Sequence, residues 1–301
     1  MRRKFLFNKS WFFEDFKLLI NPPTSTWGVV VGKEVYSGKS KFQKIEIFDT
    51  KEFGRILALD GLVQLSTKYE FIYHEMLVQP AMFYCQNPEK VLIVGGGDGG
   101  ALREVVKHKS VKEIFLVEID KKIIDVSKKY LPSVSKGAFN DKRVKIFNQD
   151  AVKFVRNYEN YFDIIIGDLT DPIGPSLILW TTQFYKAVLN ALKEKGVAAF
   201  QTADLKERFA KKTRREIKKV FPFFKIHKAF VDCFPFDEQS FSFGSKKIDF
   251  DKVTFEEINK KFKRLNLKTK YYSPEIHFSS MIFPNYLGLP AKNYLVDFFR
   301  N

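Results

Sequence analysis

The sequence predicts an α/β fold in which a mainly parallel, doubly wound sheet follows a small N-terminal antiparallel β-domain. Three observations carry this. Between Thr26 and Ser66, apolar and polar residues alternate with period two between turn signals, as in TWGVVVG, KEVYSG, FQKIEIFDT, RILALD and LVQLS. Beyond Ser66 the texture changes: the apolar runs VLIVG, EIFLVEID, RVKIF, FDIIIGD and VAAFQT are each followed by a charged or amphipathic helical stretch. The first of these runs leads into VLIVGGGDGG, where Gly95, Gly97 and Gly100 have the G-x-G-x-x-G spacing that lets a strand-to-helix turn approach a nucleotide closely.

The remaining elements fit this frame. A helix spans roughly Glu70 to Cys85, FFKIHKAFV and QSFSFGSK read as an adjacent strand pair closing the sheet, and FEEINKKFKRL is a helix with one apolar side. There are no internal repeats and no low-complexity linker. The expected division is therefore a β-domain over 1–66 and a catalytic domain over 67–301, meeting at a compact junction.

The totals exclude several classes. With 301 residues and 45% hydrophobic content, the chain can bury sizeable cores. The charge of +16 comes without a basic tail, so it reads as a solvated exterior, and the densest run, KKTRREIKK at 211–219, reads as a solvated helix face. A nucleic-acid partner is not expected. Cys85 and Cys233 have no partners at disulfide-scaffold or zinc spacing, and no metal is expected. After MRRKFLF, Asn8 and Lys9 stop any leader-like apolar run, and no stretch approaches membrane-spanning length. A soluble cytoplasmic protein is the expectation.

The glycine spacing alone admits a dehydrogenase, a methyltransferase or another user of a sulfonium nucleoside. Asp98 lies where a pyrophosphate would sit, and a carboxylate there repels phosphate while attracting an amine or sulfonium. This disfavours a dehydrogenase. It disfavours an ordinary methyltransferase less strongly, since such an enzyme must hold the carboxylate of a methionine moiety. Ligands of open α/β sheets bind at the carboxyl ends of strands, and Asp98, Glu118, Asp150 and Asp168 all fall there. Glu118 is spaced to accept ribose hydroxyls. Asp150 suits an adenine amino group and equally an N-cap for AVKFVRNY. In IIIGDLTDPIGP, Asp168 and Asp171 straddle a loop whose path Pro172 and Pro175 fix, which makes either a site for amines or a simple Asx-turn. Glu70, Tyr73 and His74 share one face of the helix EFIYHEM, where an aromatic ring beside an amine supplies a cation–π wall.

Together, VLIVGGGDGGALREVVKH, LDGLVQLSTKYEFIYHEM, VEIDKKIIDVSKKYLP and GDLTDPIGP resemble the spermidine synthases, the polyamine aminopropyltransferases. The similarity runs from about Tyr36 to Ser245, with a weaker echo in KYYSPEIHFSSMIFPNYL. The resemblance implies a Rossmann-like, methyltransferase-type catalytic sheet, a homodimer or homotetramer, and no prosthetic group. Decarboxylated S-adenosylmethionine would be the co-substrate, methylthioadenosine the by-product and putrescine or another polyamine such as spermidine the acceptor. It makes Gln43, Glu118, Asp150, Ala151 and Pro175 contacts of the nucleoside, beside the glycine loop with Gly95 and Gly97. His74, Asp98 and the loop Asp168, Leu169, Thr170 and Asp171 would hold the polyamine and the aminopropyl arm. Tyr73 and Gln64 would line the channel, and Asp168 would accept the proton.

The sequence departs from this family at DCFPFDEQSF. Phe234 takes the place of an acceptor-side Tyr, and Asp237 and Glu238 add acids where small or neutral residues are usual. The GDL containing Leu169 is similar to that of thermospermine synthases. These departures lead to the expectation of a longer acceptor. The competing readings are an S-adenosylmethionine-dependent methyltransferase and a basic RNA-binding protein on a degenerate nucleotide fold. The second of these would not need the paired acids.

Overall fold

Continuous apolar runs make strands buried on both faces, and these form the centre of the molecule. The computed structural model describes residues 3–6, 9–15, 26–234 and 237–289. Its seven-stranded sheet contains β8 (Lys90–Gly95), β9 (Glu113–Val117), β10 (Val144–Phe147), β11 (Phe162–Asp168), β12 (Leu192–Asp204), β13 (Phe223–Ala229) and β14 (Gln239–Ser245). The spatial order is β10-β9-β8-β11-β12-β14-β13, parallel from β10 to β12, with β14 antiparallel to both its neighbours. The last two strands are adjacent, as their sequences suggest, but the later one is the inner one. QSFSFGS is buried at every position, whereas FFKIHKA carries two lysines and is only partly covered. A lysine-bearing strand suits a sheet edge.

Two antiparallel sheets precede this one. β1 (Arg3–Leu6), β2 (Lys9–Phe13) and β3 (Gly28–Val30) form the first, and β4 (Glu34–Lys39), β5 (Lys44–Thr50), β6 (Gly54–Leu59) and β7 (Leu62–Ser66) the second. The sequence reading assigned no strands at β1 and β2, whose four and five residues are too few to show a period.

The helices are α1 (Glu70–Tyr84), α2 (Gly100–Val106), α3 (Lys121–Tyr130), α4 (Pro132–Ser135), α5 (Ala151–Val155), α6 (Thr182–Ala191), α7 (Arg208–Val220), α8 (Phe255–Leu265) and α9 (Pro274–Ser279). Successive sheet residues point to opposite cores. Val91, Ile93, Ile164 and Ile166 join α1, α2 and the C-terminal helices, while Leu92, Val94, Ile165 and Phe200 join α5, α6 and α7. The second N-terminal sheet sits against α3 and α4 through Ile45, Leu57, Leu65, Ile123 and Leu131.

Helix α1 is buried almost all round, so its polar residues must find partners inside. Glu75 accepts the backbone N–H groups of Lys270, Tyr271 and Tyr272 at 2.8–3.1 Å, tying down the segment before α9. Gln79 donates to Glu104 at 2.9 Å and meets His108 at 2.8 Å. Near its end, the Tyr84 hydroxyl meets His227 Nε2 at 2.8 Å, whose other nitrogen meets Ser280. Burial pushes this histidine well below its ordinary value, so the contact is between neutral groups. Both cysteines are free and buried. No helix among the described residues is long and apolar enough to cross a membrane.

The chain leaves β8 toward β9 and β10 on one side and returns to β11 on the other. The register sets Asp168 opposite Gly95 at this reversal of strand order. The topology therefore opens a crevice between those two strand ends.

Candidate active site

At that crevice lies a cavity of about 330 Å³. The residues nominated from sequence converge on it from separate elements: Gln43 and Gln64 from the N-terminal sheet, Tyr73 and His74 from α1, Gly95, Gly97 and Asp98 from the glycine loop, and Glu118 after β9. Asp150 and Ala151 at the start of α5 and the segment from Asp168 through Pro175 complete the wall. Phe234 is the exception. It packs edge-on against Tyr73 with ring centroids 6.4 Å apart and does not line the cavity.

The glycine loop is shaped chiefly by its protein neighbours. Gly95 has φ +78°, and a side chain there would strike the carbonyl of Asp168. The Gly96 N–H donates to that same carbonyl at 3.0 Å. At Gly97 an added Cβ would strike Ile123 and lie 3.2 Å from Glu118 Oε2. The loop must be small so that Glu118 and Asp168 can close in on it.

Asp98 has two functions in this geometry. Its Oδ1 accepts the Gly100 N–H at 2.7 Å, closing the loop, and lies 3.3 Å from His74 Nε2. The opposite nitrogen of His74, Nδ1, is 2.7 Å from Glu70 Oε2. Burial disfavours the charged ring, yet Asp98 and then Glu70 hold it well above its ordinary value. Burial likewise opposes ionisation of Asp98, but the His74 cation and the Gly100 N–H bring its carboxyl below the usual range.

Asp168 has the opposite balance. Burial first and the Asp98 charge second push its carboxyl up to about 6, against the lowering influence of His74 and Tyr73. Its Oδ1 accepts the Tyr73 hydroxyl at 2.9 Å, while the buried Oδ2 has no hydrogen-bond partner among the described residues. Two carboxyls of the same crevice thus differ in readiness to carry a proton. His74, Asp98 and Asp168 offer atoms within 4.8 Å of one another, a spacing a metal could use. Both imidazole nitrogens already face carboxylates, however, and an imidazolium has no lone pair to give a metal.

On the nucleoside-sized side, Glu118 Oε1 accepts the Asp120 N–H at 2.9 Å. Burial and then Asp120, Asp168 and Asp98 push its carboxyl up to about 7. Asp150 caps α5 through the N–H groups of Val152 and Lys153 at 2.8 and 3.3 Å, and it also faces the cavity. Ser40 and Gln43 reach across from the N-terminal sheet to Asp120 Oδ2 at 2.7 and 3.0 Å. On the other side, Gln64 donates to Asp171 at 3.3 Å, and Gln201 holds the carbonyl of Leu169 at 2.7 Å. The 3-10 turn Gly174–Trp180 follows, closed by Ser176 onto the carbonyls of Asp171 and Ile173.

Sequence reasoning missed several participants. Asp120 was hidden within a strand-end run. Glu14 and Asp204 are raised first by burial, and both carboxyls also respond to Asp171. Arg103, which the sequence did not single out, is 5% exposed. The i, i+4 spacing of Glu70 and His74 was the available signal for a buried ion pair.

The fold and crevice define a nucleoside-binding α/β transferase. Residues 70–257 match the family described as Spermine/spermidine synthase domain, and residues 10–67 match the Spermidine synthase tetramerisation domain. The chain is 43% identical to the polyamine aminopropyltransferase of Thermoanaerobacter sp. (strain X514) over 251 residues, 83% of this chain and 88% of the relative. Against the protein of that name from Hydrogenobaculum sp. (strain Y04AAS1) it is 42% identical over 258 residues, 85% and 89% of the two chains. A spermidine synthase crystallised with the transition state analogue AdoDATO superposes with a TM-score of 0.86 at 39% identity, covering 93% of this chain and 95% of that one. The Thermotoga maritima spermidine synthase gives 0.83 at 38% identity, covering 93% and 94%. The chain belongs to the spermine/spermidine synthase family, and it is an aminopropyltransferase.

The close fit of loop and helix makes a prediction. Glycine to alanine inside a helix ordinarily stabilises by about 0.5–1 kcal/mol, but a methyl group at Gly100 would overlap the His74 ring. Gly100→Ala is therefore expected to destabilise by about 1–3 kcal/mol, the usual cost of overpacking. Chemical denaturation of both proteins measures the difference, and equal stability contradicts the contact.

Proposed function

We propose that the chain transfers the aminopropyl group of decarboxylated S-adenosylmethionine to a polyamine and releases methylthioadenosine. The observation that carries this is the pairing of an ionised Asp98, in the glycine loop, with a proton-accepting Asp168 across the crevice. Asp98 attracts the ammonium of a donor arm that lacks a carboxylate. Glu118 takes the ribose hydroxyls, Asp150 and Ala151 the adenine edge, and Gln43 and Pro175 border the nucleoside.

The chemistry requires little beyond position and one base. The amine nitrogen attacks the carbon next to the sulfonium, a C–N bond forms, and the C–S electrons pass to sulfur to give a neutral thioether. An alkylamine near pKa 10.4 is neutral in only about one molecule in a thousand at pH 7, so its proton must be taken. Asp168 Oδ2 is unpartnered, and its carboxyl is pushed up to about 6, close to the operating range of a general base. The Tyr73 hydroxyl holds the other oxygen. In-line alignment supplies much of the remaining rate.

The acceptor reading begins with a diamine such as putrescine. A specific observation favours a longer reach as well: beyond Asp171, burial and neighbouring acids push the carboxyls of Glu14 up to about 8 and Asp204 up to about 7, and Glu207 is raised too. Such carboxyls regain their charge when an ammonium arrives. The acids first expected to serve a longer acceptor are otherwise engaged. Asp237 pairs with Lys206 at 3.2 Å, and Glu238 with Lys228 at 2.7 Å. Assembly into a homo-oligomer is inferred from the segment 10–67, which matches the tetramerisation domain.

Turnover with the decarboxylated donor and putrescine should yield methylthioadenosine, seen by chromatography, whereas ordinary S-adenosylmethionine should yield almost none. Comparable turnover of both donors would instead support the methyltransferase reading. Asp168→Asn should leave nucleoside binding largely intact and lower kcat by about 10²- to 10⁴-fold. A near-normal rate at neutral pH removes Asp168 from the base role. On the acceptor side, Phe234 packs on Tyr73 outside the cavity wall, so Phe234→Tyr should leave the ratio of kcat/KM for putrescine over spermidine nearly unchanged, and a shift toward putrescine would return Phe234 to the acceptor path. If the ratio is unmoved in paired assays, Phe234 does not select the acceptor.

A further inference from the structure

The carboxyls of the crevice are attached to a buried row of alternating charges that leads away from the cavity. His74 Nε2 lies 3.3 Å from Asp98 and 4.0 Å from Asp168 Oδ2. Its Nδ1 lies 2.7 Å from Glu70 Oε2. Arg103 grips both oxygens of Glu70, at 2.6 and 3.0 Å, and donates to the carbonyl of Val134 at 2.6 Å. Its Nε reaches Glu104 at 2.8 Å, and Glu104 in turn pairs with Lys107 at 2.6 Å. His74, Glu70, Arg103 and Glu104 are 2%, 6%, 5% and 0% exposed, so water does not screen the row.

The geometry fixes the protonation of the ring. A neutral imidazole has one donor and one acceptor nitrogen, and whichever nitrogen accepts would confront the lone pairs of a carboxylate. With carboxylates at both ends, only the doubly protonated ring satisfies both contacts. Glu70 can impose this only while it is itself ionised. A carboxyl buried alone would take up a proton instead, but the bidentate Arg103 prevents it. Glu70 and Arg103 lie outside the cavity wall.

We propose that Glu70 and Arg103 are positioning residues that keep His74 as an imidazolium, which fixes Asp98 as the permanent anion of the crevice and leaves Asp168 as the group that exchanges a proton. The proposal rests on the assignment of Asp168 as base. The groups facing His74 are Glu70 and Tyr73 from its own helix, Asp98 and Arg103 from the glycine loop and α2, and Asp168 from the end of β11. The same two aspartates also raise the Glu118 carboxyl at the end of β9. The cation sits nearer Asp98 than Asp168, so it favours ionisation of Asp98 more strongly, and the resulting anion opposes ionisation of Asp168. Removing the ring's charge removes a lowering influence from both, so Asp168 must then ionise at higher pH.

The test compares pH profiles of kcat/KM for wild type, Glu70→Gln and the double variant Glu70→Gln/Arg103→Leu, the last also removing the guanidinium that has lost its Glu70 partner, with Glu104 left paired to Lys107. The acid limb should move up by about one pH unit in both variants, so that activity near pH 6 falls about tenfold relative to the alkaline plateau. Proton NMR of the His74 ring in the wild-type protein should show it still charged well above the ordinary histidine range, and losing its charge at lower pH in Glu70→Gln. A loss of activity uniform across pH, with the limb unmoved, assigns a merely structural role and overturns the proposal. A neutral His74 near pH 7 in the wild type overturns it without any variant. Near-normal turnover of Asp168→Asn is a separate failure, that of the base assignment.

Discussion

An imidazolium enclosed by carboxylates is the interaction on which the crevice depends. Three acids approach one buried cation, and without its charge Asp98 and Asp168 would be harder to ionise together. The cation survives burial because Glu70 supports it from behind, and Glu70 survives because Arg103 supports it in turn. Buried ion pairs contribute little to stability by themselves, and breaking one is costly. Here the arrangement yields a difference between two aspartates of the same chemistry, which approach the same ring nitrogen at different distances and with different other partners.

The fold places these groups economically. Asp98 and Asp168 come from strands that neighbour each other only because the chain reverses its direction of winding between them. The glycine loop is tight because Glu118, Ile123 and Asp168 crowd it, so the same absence of side chains that admits a nucleoside also brings the acids within reach of each other. The N-terminal sheet is part of this assembly. Ser40 and Gln43 are hydrogen-bonded to Asp120 near Glu118, and Gln64 to Asp171.

Much of this was legible in the sequence. The alternation of strand and helix gave the central sheet, and the acids at strand ends pointed to the crevice whose wall they share, because both signals are local. The order of β13 and β14 was not legible, since two strands adjacent in sequence pair equally well either way round. It is decided by which one tolerates burial on both faces. Asp204 ends β12 away from the switch point, Glu14 lies far off in the N-terminal segment, and both come under the influence of Asp171 only through the fold. Asp237 and Glu238 attracted attention as extra acids, but lysines 206 and 228 neutralise them at a range that sequence separation does not reveal. Arg103 looked like any basic residue of a short helix until its depth was known.

The segregation of charge has a kinetic consequence. The chain carries +16 overall, yet the described cavity wall holds seven acids and no lysine or arginine. A polycation far from the surface meets a repulsive field, and only within about a Debye length, roughly 8 Å at physiological ionic strength, does the acidic mouth dominate. Added salt first weakens the distant repulsion and only later the local attraction. Dissolved ions therefore act as a lubricant for substrate capture here, the reverse of their effect on partners of opposite net charge, and the crowded electrolyte of a cell becomes part of how the crevice fills.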